Sequence, residues 1–496
     1  SAQTGVIIKN LTIVGRTWGV RYDQGGNHTL TNVDISGASH GVGIIGTSGV
    51  SIADLTSNPT TYGVYSENLS EGNTVKNSDL SGTGGTGLYF SNARGLMVDN
   101  ITVGGRNQGV SVAGSGNTIK NSNLQGNGTR CILTCGSGVT ISNNDLRDCS
   151  TGLQLQSAEA PLTVSNDNLF GGNSRSIQLS SVNGLTLDGM SLKGGDYGIY
   201  IDGKLTQNII VKNSDLSSTG GYGIYAGLVD GLELNNVTAN GRAYASWSNG
   251  TDVKIIDSDL SSSSNRAIHF SGEGLTVTGN DVRDSGTAVF LSSASAPVTI
   301  GNTNTFGNNT YGLYLSYVDG LTLEGISISG AGSAGVYGDS GTNRNLTLKD
   351  LTVDGTGSYG VYLGSVSNLT MEGLDISDRT LGLYANGSSI SLEDSAVTGN
   401  TTGVQLRGTG ISVAGNDFSD NTTGLFFQYT SGSISLEPDN VFDGCQTGLR
   451  LSYVSGLTIE GMTFNTSNYG IYGDGGLNDG ISIIDTSVTG TGSYGI

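Results

Sequence analysis

The side chains best able to catalyse a reaction are few and scattered in this chain. Its three histidines, His28, His40 and His269, lie far apart, and 22 lysine and arginine residues accompany 42 carboxylates. Acid–base cleavage needs two acids, or an acid and a base, close together. The acids do not concentrate beside a base, and no nucleophile elbow lies between a strand and a helix. We therefore predict that the chain is not an enzyme, and that His269 is a solvated surface residue.

Metal-binding side chains show no recognisable ligand spacing either. The sequence has no Cys-x-x-Cys and no paired histidines of the kind that hold zinc. Asp188, Glu324 and Glu460 recur at equal intervals. They predict either weak Ca²⁺ sites, since calcium prefers six to eight oxygen ligands, or solvated turn residues. We expect no cofactor.

Four cysteines are too few for a disulfide framework in 496 residues. Cys131, Cys135 and Cys149 lie close enough in sequence for one local bridge, whereas Cys445 stands alone. Packed free thiols are the alternative interpretation.

Aromatic residues give the strongest functional pattern. They recur two positions after a small residue that begins each short repeat, on a strand whose flanking positions are aliphatic, so they should point outward. The candidate binding or assembly residues are Tyr200, Tyr225, Trp247, Phe290, Tyr314, Tyr337, Tyr362 and Tyr384. A second set, including Tyr197 and Tyr222, precedes the small residue, and its direction is left open.

Three interpretations of this aromatic stripe compete. The rings could form a ladder that stiffens a sheet. They could contact another protein, since tyrosine and tryptophan are enriched at interfaces. They could also be a stacking platform for sugars, with nearby Asn, Ser and Thr binding the hydroxyls.

A long repeat positions these residues. Phe170, Phe306 and Phe442 are 136 residues apart, as are Asp145, Asp281 and Asp417. Self-similarity at a fixed period is typical of solenoid proteins. We predict six-turn units at approximately 63–197, 198–334 and 335–469, with partial units at both ends.

Each long unit contains six shorter repeats of 21 to 25 residues, which begin with Gly, Ala or another small residue. Short alternating runs such as Ile199–Ile201 and Ile209–Val211 read as strands, and no segment has helical periodicity. A polar corner follows, whose bend falls on Asn77, Asn213 or Gly325 in different turns. These residue types tolerate a left-handed backbone.

The pattern predicts an all-β fold, a single-stranded parallel β-helix solenoid of about 22 turns grouped in ~136-residue units of six turns. The sequence resembles the right-handed parallel β-helix superfamily, in particular generic surface and periplasmic repeat proteins of the NosD-like or pectate-lyase-like kind. The resemblance implies right-handedness. The Gly-His-Gly motif of polygalacturonases is absent, and the most similar string is Ser39-His40-Gly41. No catalytic residue can therefore be carried over from that family to this chain.

Charge limits the partners. The net charge of −20 would repel nucleic acid and anionic membranes, and no apolar run is long enough to insert in a bilayer. We expect one continuous domain over residues 1–496. The sequence shows no capping helix at either end of this solenoid, and we therefore expect the chain to be a fragment of a longer chain or a polymerising unit.

Repetition in whole turns repeats the outer contacts of a rod. We therefore predict an exported, non-catalytic structural protein of a cell-surface layer, extracellular fibre or adhesive stalk, which contacts copies of itself end to end or laterally. The alternative is a polysaccharide-binding or polysaccharide-active β-helix (lyase, hydrolase or epimerase), or a viral glycan-binding fibre. Its polysaccharide would lie at the cell surface.

Overall fold

The computed structural model describes residues 3–492 and 494–496. They form a parallel β-solenoid, and the chain has about 22 turns, as predicted. The described residues contain strands, turns and bends but no helix. Among them, accordingly, nothing qualifies as a long apolar helix able to span a bilayer. Contacts divide the chain into an N-terminal body, Ser1–Arg242, and a C-terminal body, Ala243–Ile496.

The described residues of the N-terminal body form eighteen strands. They are β1 (Ile7–Val14), β2 (Trp18–Asp23), β3 (Thr29–Ser36), β4 (His40–Ile45), β5 (Ser51–Asn58), β6 (Tyr62–Glu67), β7 (Ser70–Glu71), β8 (Thr74–Lys76), β9 (Thr86–Arg94), β10 (Met97–Asp99), β11 (Gln108–Ser115), β12 (Thr118–Lys120), β13 (Arg130–Ser142), β14 (Thr151–Val164), β15 (Arg175–Asp188), β16 (Tyr197–Ile201), β17 (Thr206–Lys212) and β18 (Tyr222–Asn235).

The C-terminal body continues the numbering from β19 to β40. Its strands are β19 (Tyr244–Ile256), β20 (Arg266–Thr278), β21 (Thr287–Ile300), β22 (Phe306–Gly307), β23 (Tyr311–Ser316), β24 (Asp319–Glu324), β25 (Ser327–Ser329), β26 (Ala334–Ser340), β27 (Asn343–Lys349), β28 (Thr352–Asp354), β29 (Gly357–Glu372), β30 (Asp375–Ser377), β31 (Arg379–Glu393), β32 (Ala396–Thr398), β33 (Thr402–Ala414), β34 (Thr423–Leu436), β35 (Thr447–Val454), β36 (Thr458–Glu460), β37 (Thr463–Asn465), β38 (Tyr469–Gly473), β39 (Ser482–Ile484) and β40 (Ser487–Thr489).

Each turn pairs in parallel with the equivalent strand of the next turn, so that like residues stack in columns. In the N-terminal body Val42 pairs with Val64, and Ile177 with Ile199. In the C-terminal body one such column runs unbroken from Ile268 to Ile471. These aliphatic side chains are almost wholly buried. The core of each body is therefore a stack of aliphatic columns, whose burial drives folding.

A steric constraint explains why a small residue begins each turn. A Cβ atom added at Gly63 would lie 2.5 Å from the carbonyl oxygen of Gly87 in the next turn, and at Gly312 it would lie 2.6 Å from that of Gly335. Successive backbones thus approach too closely here for a large side chain.

The bends fall where the sequence predicts them. Asn77 has φ 48°, Asn213 has φ 49° and Gly325 has φ 66°. Asn and Gly adopt this left-handed conformation at low cost, so they fix the corner between the second and third strands of a turn.

Three arginines are buried inside the solenoid, an arrangement that the sequence analysis did not predict. Arg106, Arg242 and Arg379 are 1%, 0% and 3% exposed. The guanidinium of Arg242 donates to the carbonyl oxygens of Leu216 at 2.8 Å and Gly195 at 2.8 Å. Burial lowers the pKa of Arg106 and Arg242 to about 10, which leaves both charged at neutral pH. Each arginine therefore joins carbonyl groups of preceding turns.

The cysteines were expected to form either one local disulfide bond or packed free thiols, and the structure decides between these interpretations. Cys131 and Cys149 form a disulfide bond across a sequence separation of 18. Cys135 and Cys445 are free thiols. Burial raises the pKa of the Cys445 thiol to about 11, so it packs as a neutral group.

Candidate functional site

The predicted aromatic stripe lies on the outer face of the sheet formed by the first strand of each turn. In the N-terminal body Tyr200 pairs with Tyr225 in register, and their rings stack at 5.2 Å between centroids. Tyr197 and Tyr222 stack in the same way at 5.1 Å. Tyr197 meets Tyr200 edge-on at 5.0 Å. The second aromatic set therefore shares the outer face with the first.

In the C-terminal body the stripe is continuous over seven turns. Strand register places one ring directly beside the next, and adjacent ring centroids are 4.7 to 5.1 Å apart. We call this set the ring row; its members are Trp247, His269, Phe290, Tyr314, Tyr337, Tyr362 and Tyr384. All six predicted residues of this body belong to it. Tyr337, Tyr362 and Tyr384 stack face to face, whereas the other neighbouring rings of the row meet edge-on or tilted.

His269 corrects a prediction. It is not a solvated surface residue: it fills the gap between Trp247 and Phe290, whose rings it meets edge-on at 5.1 and 4.8 Å. Its pKa is lowered to about 3, first by burial and second by the positive charge of Arg266. The imidazole is consequently neutral at physiological pH.

Arg266 also fixes the tautomer of this imidazole. Its Nη1 lies 2.9 Å from Nδ1 of His269. A guanidinium can only donate hydrogen bonds, so Nδ1 accepts and Nε2 keeps the proton. The guanidinium itself lies 3.8 Å from the centre of the Phe290 ring. This part of the row therefore offers a neutral N–H donor beside a cation.

A carboxylate borders the middle of the row. Asp339 accepts a hydrogen bond from the Tyr314 hydroxyl at 2.7 Å and another from the Tyr337 hydroxyl at 3.1 Å. Burial, followed by Asp339, raises the pKa of Tyr337. The two phenol hydroxyls are thus oriented toward one carboxylate.

A second polar group, which the sequence analysis missed, lies where the row ends. Arg407 donates from Nη1 to the Tyr384 hydroxyl at 3.1 Å, and its guanidinium lies 4.7 Å from the ring centre of Tyr429. Arg450 lies 4.5 Å from the ring centre of Phe426 and donates twice to Asp474, at 3.1 and 2.8 Å. The sequence contains one signal that could have revealed these residues: Arg407 and Arg450 differ from the residues at the same position one six-turn unit earlier.

The acidic positions do not assemble into metal sites. No group of three or more His, Cys, Asp or Glu side chains is close enough to hold an ion within residues 3–492 and 494–496. Asp188 is paired with Lys212 at 3.3 Å, and Asn213 and Lys212 lower its pKa. Glu324 and Glu460 each line a shallow surface groove of about 500 Å³.

The chain belongs to the right-handed β-helix family. The family model, described as "Right handed beta helix region", matches residues 1–145, 92–239, 230–373 and 341–496. This match confirms the superfamily and the handedness that the resemblance implied; the narrower NosD-like or pectate-lyase-like assignment remains a prediction. No curated protein matches the chain significantly.

Several solved structures share the fold. A mutant of the PL6-family alginate lyase AlyGC is 10% identical, covers 99% of this chain and 97% of its own, and gives a TM-score of 0.32. The A-module of the mannuronan C-5 epimerase AlgE4 from Azotobacter vinelandii is 15% identical, with 88% of both chains covered and a TM-score of 0.16. The periplasmic alginate epimerase AlgG is 10% identical, covers 88% of this chain and 77% of its own, and gives 0.17.

These neighbours contradict two predictions from the sequence. They are an alginate lyase and alginate or mannuronan epimerases, which stands against the prediction of a non-catalytic structural protein and the prediction that the chain is not an enzyme; both predictions are withdrawn. The physical reason for the error lies in the inference: a repeated scaffold does not exclude a site built from residues that depart from the repeat. At this identity the likeness shows the fold alone.

Proposed function

We propose that this member of the right-handed β-helix family is a polysaccharide-active protein that binds its polysaccharide lengthwise along the ring row of the C-terminal body. The observation that carries the proposal is the row itself. Seven consecutive turns place a ring at one outward position, at the spacing of adjacent strands. A linear polymer of similar rings can contact such a row at every step.

The chemistry along the row suits a hydroxyl-rich ligand. Tyrosine combines an apolar body with a polar tip, and sugars likewise combine apolar C–H groups with hydroxyls. Hydrogen-bonding groups accompany the rings at three places: Arg266 with His269, Asp339 with two phenols, and Arg407 with Tyr384. A few fixed polar groups among rings are typical of ligand sites.

Other polymers fit less well. A nucleic acid would be repelled by the net charge of −20. Tyr384, at the end of the row, is only 8% exposed, and its hydroxyl accepts a hydrogen bond from Arg407. This end of the row therefore offers polar groups, which favour a sugar ligand over an apolar protein surface.

Export follows from the same proposal. A substrate at the cell surface or outside the cell requires the protein to be there. The disulfide between Cys131 and Cys149 supports an oxidising compartment, because such bonds persist mainly in exported proteins. We therefore propose an extracellular or cell-surface location.

The test measures binding and turnover together. Purified protein is titrated with alginate, polygalacturonate, xylan and β-glucan by affinity electrophoresis, and each mixture is assayed for new reducing ends and unsaturated products. The substitutions Tyr337→Ser and Tyr362→Ser, made together, should weaken binding at least about tenfold, as loss of a central aromatic contact does. These two rings stack at 5.1 Å.

The matched control is Tyr65→Ser with Tyr89→Ser. These tyrosines stack at 5.4 Å in the N-terminal body, outside the ring row, so their loss should disturb packing equally without weakening binding. Equal weakening by both double variants, or no binding of any polysaccharide by the unaltered protein, would refute the proposal.

A further inference from the structure

Three tyrosines adopt a backbone conformation that bulky residues rarely occupy. Tyr317, Tyr429 and Tyr453 have φ of 55°, 52° and 57°. In this left-handed region the Cβ atom crowds the following carbonyl oxygen. The other non-glycine residues with such φ values are Asn, Asp or Ser, with Gln24 as the exception among the described residues. Residues in such strained conformations are enriched at ligand-binding and active sites.

Comparison between the six-turn units shows that the solenoid does not need tyrosine there. The position of Tyr429 is occupied by Ser293 and Ser157 in the two preceding units, with φ of 50° and 48°. The position of Tyr453 corresponds to Tyr317 and, one unit earlier, to a serine. The same bend therefore forms with a small residue. Among these three units, tyrosine occupies both positions in one alone.

That pair forms an exposed aromatic rim. The rings of Tyr429 and Tyr453 stack at 4.7 Å with an angle of 11° between their planes. They remain 51% and 48% exposed. The rim begins three residues after Phe426, which continues the column of the ring row. Arg407 joins the two features, since it contacts both the Tyr429 ring and the Tyr384 hydroxyl.

We propose that Tyr429 and Tyr453 form a sugar-binding subsite at the end of the ring row, where one residue of the polysaccharide packs against the rim and Arg407 donates to its hydroxyl or carboxylate oxygens. This inference rests on the proposed function, and it names residues that fix where the ligand lies. The rim requires that one sugar residue of the bound polysaccharide lie beside Tyr429 and Tyr453.

The experiment compares three substitutions to asparagine, a residue at ease with positive φ. Tyr429→Asn and Tyr453→Asn, made together, should weaken binding of alginate or polygalacturonate about tenfold or more in the affinity-electrophoresis assay. Tyr317→Asn is the matched control, because Tyr317 has the same backbone conformation but packs on Gly341 instead of another ring. It should leave binding unchanged. Circular dichroism checks that all variants stay folded.

The possible results separate the inference from the function on which it rests. If the unaltered protein binds and the double variant binds equally well, the subsite is refuted and the proposed function stands. If Tyr317→Asn weakens binding as much as the double variant, the effect is not local and the subsite is again refuted. If the unaltered protein binds none of the polysaccharides, both proposals fail together.

Discussion

Nη1 of Arg266 lies 2.9 Å from Nδ1 of His269 in the ring row. The contact places a permanent cation against an imidazole that is already packed between two aromatic rings. Both the burial and the charge disfavour the imidazolium. His269 therefore enters the row as a neutral ring, and its Nε2–H is the donor available to a ligand.

Acid should destabilise the C-terminal body through this histidine. The pKa of His269 is about 3 in the folded state and 6.5 for the free side chain. As the pH falls below 6.5 the unfolded state binds the additional proton, so stability falls toward pH 3. At pH 5 this loss reaches up to about 2 kcal/mol.

Urea unfolding at pH 7 and pH 5 checks the prediction. His269→Gln should lose less stability than the unaltered protein between those pH values, because glutamine does not titrate. Identical losses in the two proteins would contradict the lowered pKa of His269. Histidine NMR of the unaltered protein gives an independent reading of the same value.

The buried arginines should stabilise the solenoid from within. Arg242→Met would leave the carbonyl oxygens of Leu216 and Gly195 without their donors, since Arg242 is wholly buried. Loss of buried donors of this kind costs about 1–3 kcal/mol for each group left unpaired. We expect a clearly lower urea midpoint, whereas the exposed Arg344→Met control should stay within about 0.5 kcal/mol. An unchanged midpoint for Arg242→Met would show that water replaces the guanidinium.

The scaffold could be predicted because its causes are local. A small residue such as Gly63 is required where successive backbones meet, and a residue that tolerates positive φ, such as Asn213, is favoured where the chain bends. Both requirements recur in every turn, so their period is visible in the sequence. Arg242 was not predicted, because nothing in its own neighbourhood indicates that its side chain turns inward to reach carbonyls two turns away.

The site could be predicted only in part, because it depends on which turns become neighbours. The six aromatic members of the ring row follow from one repeated position. The burial of His269 was not predicted, because the two rings that cover it, Trp247 and Phe290, belong to the preceding and the following turn. Tyr429 and Arg407 lie off the repeated position, and their contact depends on side-chain directions that the sequence pattern does not contain.

Alkali should titrate Tyr22 and Tyr65 of the N-terminal body late, and a neighbouring carboxylate adds to the effect of burial at Tyr65 alone. Burial raises the pKa of Tyr22 to about 12, and burial together with Glu67 raises that of Tyr65 to about 12. Stability from these groups is present below pH 10 and is lost as the pH rises toward 12, because the unfolded state releases its protons first. NMR titration of Glu67→Gln carrying ¹³C at the tyrosine Cζ atoms, which resolves individual phenols, should show one phenol ionising earlier, that of Tyr65. Tyr22 is the internal control, and a shift of both groups, or of neither, would contradict the assignment.

Reduction should weaken the N-terminal body through the bond between Cys131 and Cys149. Closing a loop with a sequence separation of 18 stabilises a fold by roughly 3 kcal/mol, chiefly by restricting the unfolded chain. We expect Cys131→Ala with Cys149→Ala to lower the melting temperature by several degrees. The Cys135→Ala control removes a thiol that is already free and should change little. Thiol labelling after unfolding should count two reactive cysteines without reductant and four with it; four without reductant would refute the bond and remove the structural support for export.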